Sequence, residues 1–196
     1  MRIVRGPQPP CSAHVPPRAP TARRGEAGER VVRAALAAAL DDHYVLVHDL
    51  YLPGGEGDVD AVIIGPRVLA LEIETYTGDR PLRVRGLRWE YLAADERWVP
   101  LPNQPSVRAE AGARRVAYAL RSAGFPAYVA PVVALVGGAD CALERPCVPV
   151  LRPAELARCA REGPSVPQPA WPDLALRALL VAASASASWC LDLPHR

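Results

Sequence analysis

The chain has 196 residues, half of them apolar, and a formal net charge of +2, enough for one domain with a real core and room for an appendage. Its five cysteines (11, 141, 147, 159, 190) are odd in number and show no Cys-x-x-Cys spacing, which argues against a disulfide framework or a zinc site and for reduced thiols in a cytoplasmic protein. The start, Met-Arg-Ile-Val-Arg-Gly-Pro, lacks an apolar signal core, and the most apolar run, Leu174 to Trp189, is broken by Arg177 and shorter than the ~20 residues of a membrane span.

Residues 1–24 carry Arg2, Arg5, Arg18, Arg23 and Arg24, no acid, and six prolines, and are expected to be a disordered leader. A helix is expected over 25–41, with Val32, Leu36 and Leu40 on one stripe. Glu29 lies on that stripe too. It is either a carboxylate directed to the buried side or a residue near the helix start that complements the dipole. Residues 44–51 read as a strand, with His48 a satisfied sheet residue. Residues 79–100 hold Arg80, Arg83, Arg85, Arg88 and Arg97 among Trp89, Tyr91 and Trp98, and include a hairpin of 88–92 with 97–101. Trp packing across strands is the simpler reading there; the arginines suit either solvent or phosphates. A second helix, 105–123, presents Arg108 with Arg115 on one stripe and Arg114 with Arg121 on another, again a solvated face or a set of phosphate contacts. Residues 128–136 form a strand buried on both faces, with Pro131 marking an edge or a strand start. A short strand in 147–151, a short helix from Arg152, a proline-rich linker at 164–172 and a helix over 173–190 complete the chain. The expected domain therefore covers 25–163.

The chemistry concentrates in residues 57–78. Two strands meet at Gly65-Pro66-Arg67, and a turn centred on Pro66 sets Asp60 opposite Glu72 and Asp58 opposite Glu74. Side chains alternate along a strand, so all four carboxylates share one face. Like charges opposed across a hairpin are destabilising. Such a face calls for a divalent cation, for raised pKa values, or for full hydration. Hard oxygen donors suit Mg²⁺ or Mn²⁺, which would activate water against a phosphodiester.

Gly28-Glu29, Gly57-Asp58-Val59-Asp60 followed by Val62-Ile63-Ile64-Gly65-Pro66, and Glu72-Ile73-Glu74-Thr75-Tyr76-Thr77-Gly78 together resemble the nuclease-related domain (NERD) family of the PD-(D/E)xK phosphodiesterase superfamily, over about residues 25–136. The resemblance implies a restriction-endonuclease-like α/β core, with a mixed central sheet flanked by helices, and Mg²⁺-dependent cleavage of DNA. Carried over by position, Glu29 matches the helix glutamate, Asp60 the metal-binding aspartate, and Glu72 the first acid of the Glu-x-Lys element. Glu74 stands where the family has lysine, and Gln104-Pro105-Ser106-Val107-Arg108 where it has Asn-Pro-x-x-Gln. All 23 basic residues are arginine, so only an arginine can replace the missing cation. Some restriction endonucleases of the superfamily use Glu-x-Glu. On that pattern Asp60, Glu72 and Glu74 hold the metal, Glu29 acts through water, and Arg83, Arg85, Arg88, Arg108 and Arg115 hold phosphates. The alternatives are a non-catalytic nucleic-acid-binding or scaffold domain, and a partner-docking role for the last helix with Trp171 and Trp189.

Overall fold

The computed structural model describes residues 1–7, 20–53, 57–162 and 171–189, without the side chains of 20–24, 171 and 185–189. In chain order the elements are β1 (Arg2–Arg5), α1 (Pro20–Ala39), β2 (Val45–Leu50), β3 (Val59–Ile64), β4 (Val68–Thr75), β5 (Leu82–Gly86), β6 (Arg88–Leu92), β7 (Trp98–Pro100), α2 (Pro105–Ser122), β8 (Val129–Val136), β9 (Cys141–Pro146), β10 (Val150–Leu151), α3 (Pro153–Arg161) and α4 (Trp171–Trp189). Six strands form a mixed sheet in the order β1-β2-β3-β4-β8-β10, and four form a smaller sheet, β7-β6-β5-β9. The expected α/β architecture, a mixed sheet flanked by helices, is what the chain adopts.

The β3–β4 hairpin has the register that a turn at Pro66 dictates: Ile64 pairs with Val68, Ile63 with Leu69, Val62 with Ala70 and Ala61 with Leu71. Alternation then sorts the side chains. Ala61, Ile63, Leu69 and Leu71 pack with Val32 and Leu36 of α1, with Leu40 just past its end, and with Leu156, Ala157 and Ala160 of α3. Val62, Ile64, Val68 and Ala70 pack with Val116 and Leu120 of α2 and with Ala175, Leu179 and Ala183 of α4. A third cluster joins Leu82, Val84 and Trp89 of the small sheet to Ala109, Val133 and Leu135. β8 runs parallel to β4 along its whole length, whereas β10 reaches it only at Val133 and Ala134. Pro131 therefore lies on an open edge, where its missing N–H leaves no ladder bond unmade.

Three expectations change. The leader contains a strand: Arg2–Arg5 pairs in parallel with Val45–His48. This edge of β2 has backbone groups to satisfy, and the two-residue alternation within such a short segment gives little signal of it. The first helix begins at Pro20, whose fixed φ suits a helix start; residues 8–19 lie outside the described residues. Of the expected linker, 164–172, residues 164–170 also lie outside the described residues, and the last helix starts at Trp171, within its expected end. No helix among the described residues is long and apolar enough to cross a membrane.

Candidate active site

Past Ala61 and Leu71 the hairpin turns from apolar to acidic. Asp60 and Glu72 lie one position beyond the last rung, and Glu74 follows two residues on, on the α2 side of the sheet. The Asp60 carboxylate accepts a hydrogen bond from the Ile73 amide at 2.6 Å, which locks it against β4. On its other side β2 peels away: the rungs His48–Ala61 and Leu50–Val59 form, but the Asp49–Asp60 rung between them does not. Asp49 has φ 54, left-handed backbone that non-glycine residues seldom adopt. The missing rung borders a cleft of about 590 Å³, lined among others by Glu29, Asp58 and Asp60. Arg5 of the unexpected first strand also lines it, ion-paired to Asp49 at 2.7 Å. His48 contacts Asp49 at 3.3 Å and Arg33 at 3.4 Å, the satisfied sheet residue that was expected.

Glu29 reaches this cleft because α1 crosses β4 very closely. A Cβ on Gly28 would lie 2.0 Å from the Thr75 hydroxyl oxygen, so only glycine fits this approach. Burial, and next the charge of Asp49, push the Glu29 pKa up. Glu29 also pairs loosely with Arg33, at 3.7 Å.

Asp60 and Glu72 behave as one unit. Burial raises Asp60 from 3.8 to about 7, opposed by the Ile73 amide and Arg108. Burial and then the Asp60 charge raise Glu72 from 4.5 to about 8, opposed by Arg108. The pair thus tends to retain a proton near neutrality unless a cation compensates it. Arg108 is that cation here: its Nη1 lies 2.9 Å from Glu72 Oε1, with the Glu72 side chain 7% exposed and that of Arg108 49% exposed. Glu74, raised by burial, is turned to Asn103, whose amide donates to it at 2.8 Å. Among the described residues no three His, Cys, Asp or Glu side chains gather as a metal site. The Asp60 and Glu74 charges both raise Glu72, and Arg108 opposes the rise in all three acids.

The arginines expected at phosphates all have protein partners. Arg83 gives two hydrogen bonds to the buried Glu90 and stacks on Trp98, 4.2 Å from the ring centroid. This ties it into the small sheet. Arg85 pairs with Glu144 and Arg88 with Glu90, both with more than half the side chain exposed. Arg115 donates to the carbonyls of Gly57 and Asp58 and so anchors the start of β3.

Sequence reasoning missed Asn103 and Asp49, and gave Gln104 no structural role. The Gln104 side chain accepts from the Trp89 amide and donates to the Trp89 carbonyl, closing the small sheet onto the start of α2. The buried Ser106 hydroxyl accepts the Trp89 indole N–H at 2.8 Å in the same place. A polar pair directly before Pro105 was the available signal. Ala175, Ala178, Leu179 and Ala183 of α4 pack inside the chain with residues of α2, β2 and β3; the side chains of Trp171 and Trp189, on which partner docking was expected, lie outside the described residues.

The comparison with known families agrees with this arrangement. The family model described as Nuclease-related domain matches residues 24–136, more than half of the chain. No curated protein and no solved structure matches it. The matched stretch begins within α1, spans the acidic hairpin and Arg108, and ends with β8. On that match, the chain belongs to the nuclease-related domain family, within the PD-(D/E)xK-like nucleases, and its function is nuclease-related.

Proposed function

We propose that the protein is a divalent-metal-dependent DNA phosphodiesterase whose cation is held by Asp60 and Glu72. The observation that carries this is the buried carboxylate pair itself: burial raises both acids, and the Asp60 charge raises Glu72 further, beside a cleft that Asp60 lines. The donors fit the group: Mg²⁺ and Mn²⁺ take hard oxygens, and Mg²⁺ typically accepts one or two carboxylates and fills its remaining positions with water and phosphate. Such an ion supplies a Lewis acid for a phosphoryl oxygen and eases deprotonation of the attacking water. The protein does the rest. The Ile73 amide fixes Asp60, Glu29 carries charge into the cleft, and Glu74, hydrogen-bonded to Asn103 and raised in pKa by burial, is the group assigned to accept a proton from water. In hydrolysis the water oxygen bonds to phosphorus, the ester P–O bond breaks, and the leaving oxygen takes up a proton.

Incubating the purified protein with DNA and Mg²⁺ or Mn²⁺, beside Asp60→Ala, tests the reading. Cleavage by the wild type alone supports it; equal cleavage by both, or by neither, rejects it. A second reading, a non-catalytic nucleic-acid-binding domain, is favoured by Glu74 at the lysine position and by the Arg108–Glu72 ion pair. It expects DNA affinity that falls with salt and needs no metal.

A further inference from the structure

The site has lost the lysine of the Glu-x-Lys element, and the chain has no lysine at all. The cation beside Glu72 comes instead from the second turn of α2. We propose that Arg108 is an exchangeable positioning cation, which neutralises Glu72 while the carboxylate pair is empty and turns to a substrate phosphate once a divalent ion takes its place.

This rests on the reading of Asp60 and Glu72 as a cation site. Three observations carry it further. Arg108 and an incoming ion compete for the same carboxylate, since Arg108 contacts Glu72 Oε1 directly. Arg108 is also free to leave. Its one ion pair among the described residues is with Glu72, and half of its side chain faces solvent. Arg83 and Arg115 are each held by two hydrogen bonds to the protein. Finally, its root is fixed: Gln104 and Ser106 fasten the start of α2 to Trp89, so the side chain can swing without the helix moving. A guanidinium presents a planar fork of donors that matches two phosphate oxygens, and its charge persists at any working pH. Arg108 forms and breaks no covalent bond in this role; it offsets the negative charge that grows on phosphorus-bound oxygens during attack.

The role predicts opposite movements of two quantities. Arg108→Gln retains a donor for Glu72 without the charge. It is expected to bind Mn²⁺ about tenfold more tightly than wild type by calorimetry, because a charge-assisted contact no longer competes. The same variant is expected to lose roughly a hundredfold or more in Mn²⁺-supported DNA cleavage, and to show a shallower salt dependence of DNA affinity, by about one phosphate contact. Arg108→Lys restores both properties in part. An arginine that merely held the fold would weaken metal binding and cleavage together. Mn²⁺ affinity that is unchanged or reduced in a folded Arg108→Gln protein therefore overturns the proposal. If wild type and Asp60→Asn bind Mn²⁺ alike, or neither binds it, the cation-site reading itself has failed and takes this proposal with it.

Discussion

Replacing Asp60 with Asn should stabilise the protein at alkaline pH. A rise of the Asp60 pKa from 3.8 to about 7 corresponds to roughly 4 kcal/mol for a wholly enclosed group, and the side chain's contact with the cleft reduces this to about 2 kcal/mol. The sign follows from proton binding. An acid whose folded pKa is raised holds a proton that the unfolded chain has released, so its contribution is full below pH ~4 and is lost as pH rises through 7 to 8. Asn keeps an oxygen for the Ile73 amide and removes both the buried charge and its repulsion of Glu72. Urea unfolding of wild type and Asp60→Asn at pH 5 and pH 8, in chelator, measures the difference. His48, whose pKa is lowered by burial, acts in the opposite direction in both proteins and cancels between them. The expected gap is about 2 kcal/mol at pH 8, shrinking to well under half of that at pH 5. Equal stability at pH 8, or a gap that widens as pH falls, would refute the claim that Asp60 is a costly buried charge.

Further outcomes follow from the same contacts. Gly28→Ala drives a methyl into the Thr75 hydroxyl and should cost about 1–3 kcal/mol by denaturation, and Gly28→Ala with Thr75→Ala should recover much of it, since the buried Thr75 hydroxyl has no hydrogen-bond partner among the described residues. Ser106→Ala orphans the Trp89 indole N–H and should cost about 1–3 kcal/mol, with a change in Trp fluorescence in the native state. Arg83→Ala leaves Glu90 without its closest partner and should lower stability by about 2–4 kcal/mol, while the salt slope of DNA binding stays at the wild-type value.

What could be read from the chain was local. The hairpin register follows from one Gly-Pro turn and strict alternation as far as the Ala61–Leu71 rung; the expected pairings of Asp60 with Glu72 and Asp58 with Glu74 lie beyond it. The stripe of α1 and the buried character of β8 follow from periodicity in the same way. What could not be read was long-range. β5 pairs in parallel with β9, some sixty residues downstream, and no local pattern announces such a partner. β1 is a strand only because β2 offers it an edge. The site follows the same division. Its carboxylates were legible as a pattern of alternation, but Asn103 on Glu74 and Asp49 beside Asp60 come from elements brought together by the fold. The Glu90 partner of Arg83 becomes visible only once the β5–β6 register is known.

α2 grips the acidic hairpin at two places seven residues apart, Arg108 on Glu72 and Arg115 on the carbonyls that lead into β3. Seven residues are two turns of helix, roughly 10 Å of rise, with both side chains returning to nearly the same azimuth. The helix thus serves as a vernier for the site: its pitch sets the spacing between the two grips. An insertion of one residue between them would rotate one grip by about 100° relative to the other and break the register. Length in this stretch should be far less tolerant of change than residue identity on its solvent face.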